Sequence, residues 1–244
     1  MTKRHRSATG QPRLVEVDPE RIVLWVNGFA ERHGDLTWRS TESSVGPLAT
    51  VGLTASDGAT ALLEPFVPGD PVRPGVVDDL AGWVLPPTRL ALILVRRGGY
   101  AVGVGQGAEL IAHKVGTRYV QSRTAAGGWS QHRFARRRDN QADALVVSVI
   151  EHAQRVILGT PSAALGVGQR VILATPSDAL VVGGDKALIR DVLAAARLAR
   201  IAGLPRRELF DLPDPKLVVL QQALRRGRAV RITLTEPATS PVLA

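Results

Sequence analysis

The stretch from residue 90 to residue 121 constrains the fold most strongly, because apolar runs alternate there with glycine-containing turns. The first run, Leu90–Val95, is continuously aliphatic, which is typical of a strand buried on both faces of a sheet. Two further runs follow after short turns: Tyr100–Gly105 and Glu109–Gln121. The pattern predicts a three-stranded antiparallel meander.

The second half of the chain alternates helix and strand patterns. Ser130 is a suitable N-cap for a long helix ending near Leu158, because apolar residues such as Leu145 recur at helical spacing. The elements predicted after it are strand Ala179–Val182, helix Asp185–Ala199, helix Pro213–Leu224 and closing strand Ala229–Leu234. A meander followed by such an alternation predicts a mixed α/β fold, with one mixed sheet flanked by helices.

A smaller subdomain is predicted to precede this region. Asp18-Pro19 begins a helix that ends near Arg32, and Ser56-Asp57-Gly58 is a hairpin turn between two apolar strands. Prolines are frequent from residue 65 to residue 87, which is typical of a loop or linker. We therefore expect a disordered basic tail at 1–13, an N-terminal helix-plus-hairpin subdomain with a proline-rich linker at 14–87, the main domain at 88–236 and a flexible C-terminus at 237–244.

Positive charge is concentrated in residues 110–138. The chain has a net charge of +9, and this stretch contains no acidic residue but seven basic ones: Lys114, Arg118, Arg123, Arg133, Arg136, Arg137 and Arg138. A polyanion relieves the repulsion within such a surface, so RNA is the favoured partner, with a membrane surface second. No apolar run reaches the roughly 20 residues of a spanning helix. The N-terminus also lacks the apolar region of a secretory signal. We expect a cytoplasmic protein.

The composition and the strand pattern disfavour several classes of enzyme. Without Cys, the chain has no thiolate nucleophile and no Cys-ligated zinc. Gly103 and Gly105 lie on a predicted strand with no helix after it, so they are interpreted as packing positions rather than a nucleotide loop. The strands predicted from residue 89 to residue 121 contain a single carboxylate, Glu109, which argues against a metal-dependent nuclease. We expect neither a metal nor a cofactor.

The sequence Gly127-Gly128-Trp129-Ser130-Gln131 joins the meander to the long helix. A diglycine alone is a common turn between a strand and a helix. Here, however, Gln131 lies at a helix start and is followed by arginines. The whole stretch, GGWSQHRFARRRDNQ, resembles the catalytic loop of archaeal and eukaryotic class I peptide-chain release factors, where Gly-Gly-Gln precedes a helix carrying Arg-Phe-x-Arg. It is also similar to the Vms-type release-factor-like proteins of ribosome quality control, which free nascent chains from stalled large subunits.

The resemblance covers roughly residues 89–235 and implies an RNase H-like topology for the main domain. It further implies a peptidyl-tRNA hydrolase that acts as a monomer on the large ribosomal subunit, with rRNA and peptidyl-tRNA as partners. In that case Gln131, Gly127 and Gly128 would carry catalysis, and the seven basic residues of 110–138 would hold phosphates. No role is implied for residues 1–85.

One departure from the family pattern leaves alternatives open. When Arg133-Phe134 is aligned with the Arg-Phe of the motif, the glutamine position falls on Trp129, and Gln131 lies two residues later. We favour a rearranged loop that brings Gln131 to the same place. Otherwise catalysis is lost, and the protein is a non-catalytic ribosome- or RNA-binding module. A nuclease on the same scaffold is a third and weaker alternative.

Overall fold

The computed structural model describes residues 10–41, 50–68, 72–117, 130–159 and 176–237, and for residues 40–41, 67–68 and 130–140 it describes the backbone alone. The chain divides into two compact units. The N-terminal unit is Met1–Pro86 together with Arg228–Ala244, and the central unit is Pro87–Gly227.

The described residues form the following elements, given in chain order. The strands are β1 Arg13–Val17, β2 Leu36–Thr41, β3 Thr50–Ala55, β4 Thr60–Glu64, β5 Val67–Pro68, β6 Val84–Leu85, β7 Arg89–Arg96, β8 Gly99–Gln106, β9 Glu109–Thr117, β10 Ala179–Gly184, β11 Arg206–Leu209 and β12 Val230–Thr235. The helices are α1 Ile22–His33, α2 Asp79–Trp83, α3 Ser130–Ile157, α4 Lys186–Leu193, α5 Ala199–Ala202 and α6 Leu217–Arg228, with 3-10 turns at Pro19–Arg21 and Ala196–Leu198.

The N-terminal unit is built on an antiparallel sheet with the strand order β1-β12-β4-β3-β2. α1 contributes Ile22, Val26 and Phe29 to the buried cluster that this sheet forms, and Gly34, with a φ of 88°, ends the helix. The helix predicted from Asp18-Pro19 is confirmed, with a 3-10 turn at its start. The predicted hairpin is confirmed as β3 and β4, which pair across the Asp-Gly turn.

The last strand lies in a different sheet from the one predicted. β12 pairs antiparallel with β1 and β4, so it belongs to the N-terminal unit. The prediction that Ala229–Leu234 closes the sheet of the main domain was therefore wrong, and the boundary expected at residue 236 falls inside the other unit. The physical reason is that alternating Val230, Ile232 and Leu234 specify one buried face without specifying which sheet provides it.

The segment predicted as a proline-rich linker contributes to the core of the N-terminal unit. Leu80, Trp83 and Val84 are all buried in its hydrophobic cluster, and β5 pairs with β6. A short helix, α2, also forms within this segment. Of the expected terminal tails, residues 1–9 and 238–244 lie outside the described residues, and Arg13 is already the first residue of β1.

The central unit contains a mixed sheet with the strand order β11-β10-β7-β8-β9. β7, β8 and β9 form the predicted antiparallel meander, of which Glu109–Thr117 is the described part of the third strand. β10 runs parallel to β7, and β11 runs parallel to β10. The fold class predicted from the sequence, a mixed α/β sheet flanked by helices, is confirmed.

Helices cover both faces of the central sheet. On one face, Ile93, Val102 and Val182 lie in one buried cluster with residues of α3, α4 and α5. On the other face, α6 approaches so closely that a Cβ added to Gly105 would lie 2.3 Å from Cδ1 of Leu224. The interpretation of the glycines of β8 as packing positions is therefore confirmed. These two surfaces are called the α3 face and the α6 face.

Candidate functional site

Most residues predicted to act on RNA lie at or beyond the limit of the described residues. Those outside it are Arg118, Arg123, Gly127, Gly128 and Trp129. The backbone of α3 includes a second group, whose side chains are outside the description: Gln131, Arg133, Arg136, Arg137 and Arg138. Lys114 is the one member of the predicted set with a described side chain, and it is exposed on β9.

The segment predicted to be catalytic, residues 118–129, is anchored at both ends by elements of the central unit. β9 ends at Thr117 and α3 begins at Ser130, so residues 118–129 connect an edge strand to the helix that packs on the sheet. Lys114 pairs with Val102, whose side chain belongs to the cluster on the α3 face. Because directly opposite residues in an antiparallel pair point to the same side, Lys114 lies on the α3 face too. The fold therefore brings Lys114 to the same side of the sheet as α3.

α3 is longer than the sheet on which it packs. Its 28 residues correspond to about 42 Å at roughly 1.5 Å per residue. The eight-residue strands β7 and β8 span about 27 Å. His152 contacts Tyr100, the second residue of β8, and Ser130 lies about 33 Å before His152 along the helix axis. The first turns of α3, which include Gln131, thus extend past the strands.

The rotation of α3 divides the residues of its first turns into two groups. Leu145, Val149 and Ala153 are fully buried and mark the side of the helix that faces the sheet. At about 100° per residue, the Cα of Gln131 lies at the same angle as that of Val149, and the Cα of Arg138 lies close to it. Three arginines have their Cα atoms on the opposite side: Arg133, Arg136 and Arg137. These three and Gln131 consequently occupy different faces of the same projecting helix.

A hydrogen-bonded cluster joins the second half of α3 to the sheet. Nδ1 of His152 lies 2.7 Å from the carbonyl oxygen of Ser148 and 3.0 Å from Oη of Tyr100. Because a carbonyl oxygen only accepts, Nδ1 carries the proton and donates it to Ser148, and Oη of Tyr100 is a second acceptor. The two rings also pack with centroids 5.4 Å apart, and Tyr100 is buried. The helix that carries Gln131 is therefore fixed at its base by specific polar contacts.

Sequence reasoning missed a second positively charged stretch in the central unit. Residues 186–207 contain six Lys or Arg and one Asp, a net charge of +5. The net charge of the whole chain concealed this stretch, because the remaining residues outside both basic stretches are acidic on balance. A count of charge over short windows would have found it.

The carboxylates of the central sheet do not come together. Glu109 lies on β9 and Glu208 on β11, which was not predicted as a strand. These strands are at opposite edges of the five-stranded sheet, so the two residues are at least about 19 Å apart at roughly 4.8 Å per strand. Glu208 instead contacts Arg206, with 3.4 Å between Oε1 and Nε. In the described residues, no three His, Asp or Glu are arranged to hold a metal ion.

The comparison with protein families shows to which family the chain belongs. A family model described as "Actinobacteria/chloroflexi VLRF1 release factor" matches residues 88–233, which is more than half of the chain. This protein belongs to the VLRF1 release-factor family. The match includes the central unit apart from Pro87 and extends into β12. Membership in the VLRF1 family identifies the protein as release-factor-like.

Other comparisons add context to the VLRF1 assignment. No curated protein matches the chain in sequence. Among solved structures, the chain is similar to an archaeal translation termination factor, aRF1, with 12% identity and a TM-score of 0.36. The similarity covers 88% of this chain and 65% of the termination factor, so the chain spans less than two thirds of that protein. Throughout the described part of this VLRF1-family protein, every helix is too short or too polar to cross a bilayer.

Proposed function

We propose that this VLRF1-family protein hydrolyses the ester between a nascent peptide and tRNA on stalled large ribosomal subunits. The observation that supports the proposal most is the release-factor family match over residues 88–233. That span contains the diglycine at Gly127-Gly128, Gln131 and the basic start of α3. The proposed partners are rRNA of the large subunit and peptidyl-tRNA, and the proposed setting is the cytoplasm, with the protein acting as a monomer.

The proposed reaction is simple ester hydrolysis. The oxygen of a water molecule attacks the ester carbonyl carbon, and the bond from that carbon to the ribose oxygen then breaks. A proton passes to the ribose oxygen, and the peptide leaves with a free carboxylate. Because an aminoacyl ester is already labile, the protein mainly has to orient the water molecule and stabilise the oxyanion.

We assign separate tasks to the residues of the predicted segment. The side-chain amide of Gln131 would position the water molecule, which needs no shifted pKa. Gly127 and Gly128 would allow close approach to RNA, because glycine accepts backbone conformations that other residues avoid. The arginines of α3, together with Lys114, Arg118 and Arg123, would hold phosphates.

Two features of the described structure support this division. α3 extends past the strands of the central sheet, so its first turns are available to reach into a ribosomal site. The helix rotation also separates the Cα of Gln131 from those of Arg133, Arg136 and Arg137. A helix arranged in this way places the backbone of Gln131 and that of most of its arginines on different faces, which suits one residue that contacts substrate and others that contact phosphate.

The strand order of the central unit supports the proposed RNase H-like assignment. A meander of three strands is followed by two strands that run parallel to β7, with α3 as the connection between the meander and β10. This arrangement is the one implied by the resemblance to the release-factor catalytic domain. It concerns the scaffold and does not by itself assign a reaction.

A non-catalytic ribosome- or RNA-binding function is the second candidate, and the position of Trp129 favours it. If Trp129 occupies the place of the release-factor glutamine, no amide reaches the ester and the basic residues alone would retain a role. Binding to the ribosome would then persist without peptide release. Peptide release from peptidyl-tRNA therefore distinguishes the hydrolase from the non-catalytic binding protein.

Release of labelled peptide from large subunits carrying peptidyl-tRNA tests the proposal. Gln131→Ala is expected to slow release by about 10²–10³-fold, as loss of one transition-state contact does, while binding to the subunit is retained. Gln222→Ala, which removes an exposed amide from α6 on the other face of the sheet, is the matched control and should release at the wild-type rate. Equal rates for Gln131→Ala and wild type would remove Gln131 from the mechanism.

A further inference from the structure

α4, the 3-10 turn at Ala196–Leu198 and α5 together form a second basic surface on the central unit. The buried sides of these elements contribute Leu188, Val192 and Ile201 to the cluster on the α3 face. Their exposed sides carry four cations: Lys186, Arg190, Arg197 and Arg200. The name "α4–α5 surface" refers to these four residues. It is separate in sequence from the basic stretch at 110–138.

The cations of the α4–α5 surface are largely unopposed. The side chains of Arg197 and Arg200 form no hydrogen bond or ion pair with any described residue. Lys186 packs over the ring of Phe210, with Nζ 4.9 Å from the ring centroid, and has no acidic partner in the described residues. Arg190 alone contacts a carboxylate, with 3.0 Å between its Nη2 and Oδ1 of Asp191.

Helix stability does not account for the cation at the start of α4. Lys186 is the first residue of α4, where the partial positive charge of the helix N-terminus disfavours a cation. Arg190 lies four residues later, so the two like charges are neighbours on one face of the helix and repel each other. Arg190 itself lies in the last turn, where the helix C-terminus favours a cation. Lys186, Arg197 and Arg200 have no acidic partner in the described residues, and their exposed charges indicate a partner that supplies negative charge.

The chemistry of the surface favours RNA over a membrane. A peripheral membrane helix places apolar side chains beside its cations, so that they enter the lipid. The large exposed apolar residues of the described chain include none from α4 or α5. Phosphates of a nucleic acid backbone need only the cations, which guanidinium groups bind with paired N–H donors.

We propose that the α4–α5 surface is a second RNA-binding site, which contacts phosphates of ribosomal RNA. The choice of rRNA as the particular RNA rests on the proposed function. The contacts of α3 support the location, because α3 packs against β8 and β9 on one flank and against α4 and the 3-10 turn on the other. RNA held at the α4–α5 surface and at Lys114 would therefore lie on both sides of the helix that carries Gln131.

The test is the salt dependence of binding to purified large ribosomal subunits, measured between 50 mM and 200 mM salt. Arg197→Ala/Arg200→Ala should lower the slope of log K against log salt by about 1.4–1.8, because each lost phosphate contact contributes roughly 0.7–0.9. Between those salt concentrations, the rise in Kd should be about 7- to 12-fold smaller than for wild type. Lys216→Ala/Arg225→Ala removes the same charge from exposed positions at α6, on the other face, and should leave the slope unchanged.

Each result either supports or overturns the inference. A wild-type slope in Arg197→Ala/Arg200→Ala overturns it, as does an equal change in the α6 control, which would show a general effect of net charge. Loss of binding to phosphatidylcholine–phosphatidylserine vesicles, with unchanged binding to subunits, would assign the surface to a membrane instead. If Gln131→Ala has no effect on release but the slope still falls, the hydrolase proposal fails and the second RNA-binding site stands.

Discussion

Substitution of Gly116 tests how tightly the base of α3 is fixed to the sheet. Gly116 pairs with Tyr100 across β8 and β9, and a Cβ added to Gly116 would lie 2.4 Å from Cζ of Tyr100 and 2.5 Å from its Oη. An ordinary contact at this position needs at least 3.4 Å, so the ring would have to move by roughly 1 Å, which is overpacking. The ring cannot move freely, because its hydroxyl and its face both contact His152 on α3.

The cost of Gly116→Ala follows from three contributions. Overpacking a well-packed site costs about 1–3 kcal/mol. Weakening the hydrogen bond between Tyr100 and His152 adds about 0.5–1.5 kcal/mol. Replacing glycine with alanine also lowers the entropy of the unfolded chain, which stabilises the folded state by about 0.4–1 kcal/mol. The free energy of unfolding is therefore expected to fall by about 0.5–4 kcal/mol.

Urea unfolding followed by far-UV circular dichroism, with amide hydrogen exchange of β8 and β9, measures this change. Gly98→Ala is the matched control, because a Cβ at Gly98 meets nothing within 4 Å and its φ is not in the left-handed region. It should leave the free energy of unfolding within about 0.5 kcal/mol of wild type, or slightly above it. In a Tyr100→Ala background the clash is absent, so Gly116→Ala should cost no more than Gly98→Ala. An equal cost of Gly116→Ala in both backgrounds would refute the account of the contact with Tyr100.

Two further predictions concern an ion pair and a strained turn. The side chain of Arg73 lowers the pKa of Asp79 from 3.8 to about 2, helped by the Arg73 backbone N–H. The resulting stabilisation is present above pH 3.8 and is lost as the pH falls through about 2. In Arg73→Ala, carbon-13 NMR should show a higher pKa for Asp79, still below 3.8 because the backbone bond remains, and an unchanged pKa would refute the assignment. Gly184 has a φ of 102°, and a Cβ on it would lie 2.0 Å from the carbonyl oxygen of Val95. Gly184→Ala should cost about 3 kcal/mol or more, and Gly107→Ala, at a φ of 56° with open space, about 1–2 kcal/mol. An equal loss of unfolding free energy in the two variants, measured by denaturant unfolding, would show that the contact with Val95 adds nothing to the backbone strain.

Local patterns in the sequence predicted the elements that depend on local chemistry. The proline after Asp18, the Asp-Gly turn at residue 58 and the aliphatic run of β7 each specify a backbone geometry within a few residues. The helical spacing of Leu145, Val149 and Ala153 likewise identified the buried side of α3, and all three are fully buried. These elements could be predicted because their hydrogen bonds and burial are set within a short window.

Elements that depend on distant partners were missed or misplaced. β11 has only four residues, and Arg207 is buried there because its guanidinium group donates to the carbonyl oxygens of Arg226 and Gly227. Nothing in a short charged segment predicts that contact. β12 has a clear strand pattern, but its neighbours β1 and β4 lie far away in sequence, so the choice of sheet could not be predicted.

For the candidate site too, some features could be predicted from the sequence and others needed the structure. The order of a diglycine, Gln131 and a basic helix is visible in the sequence, and the structure adds the length and rotation of α3 and the position of Lys114. The roles of Gly127, Gly128 and Gln131 remain predictions, because they depend on side chains or segments outside the described residues. A charge count over short windows would locate the basic stretch of the α4–α5 surface, and the structure adds the exposure and the ion pairing of its cations.

The most direct measurement of the central claim is single-turnover release of labelled peptide from purified large subunits carrying peptidyl-tRNA. Wild-type protein should release the peptide well above the spontaneous rate, and Gln131→Ala should return release close to that rate while it still binds the subunit. Binding of the wild-type protein without any release above the spontaneous rate would contradict the hydrolase proposal and support a non-catalytic ribosome-binding module.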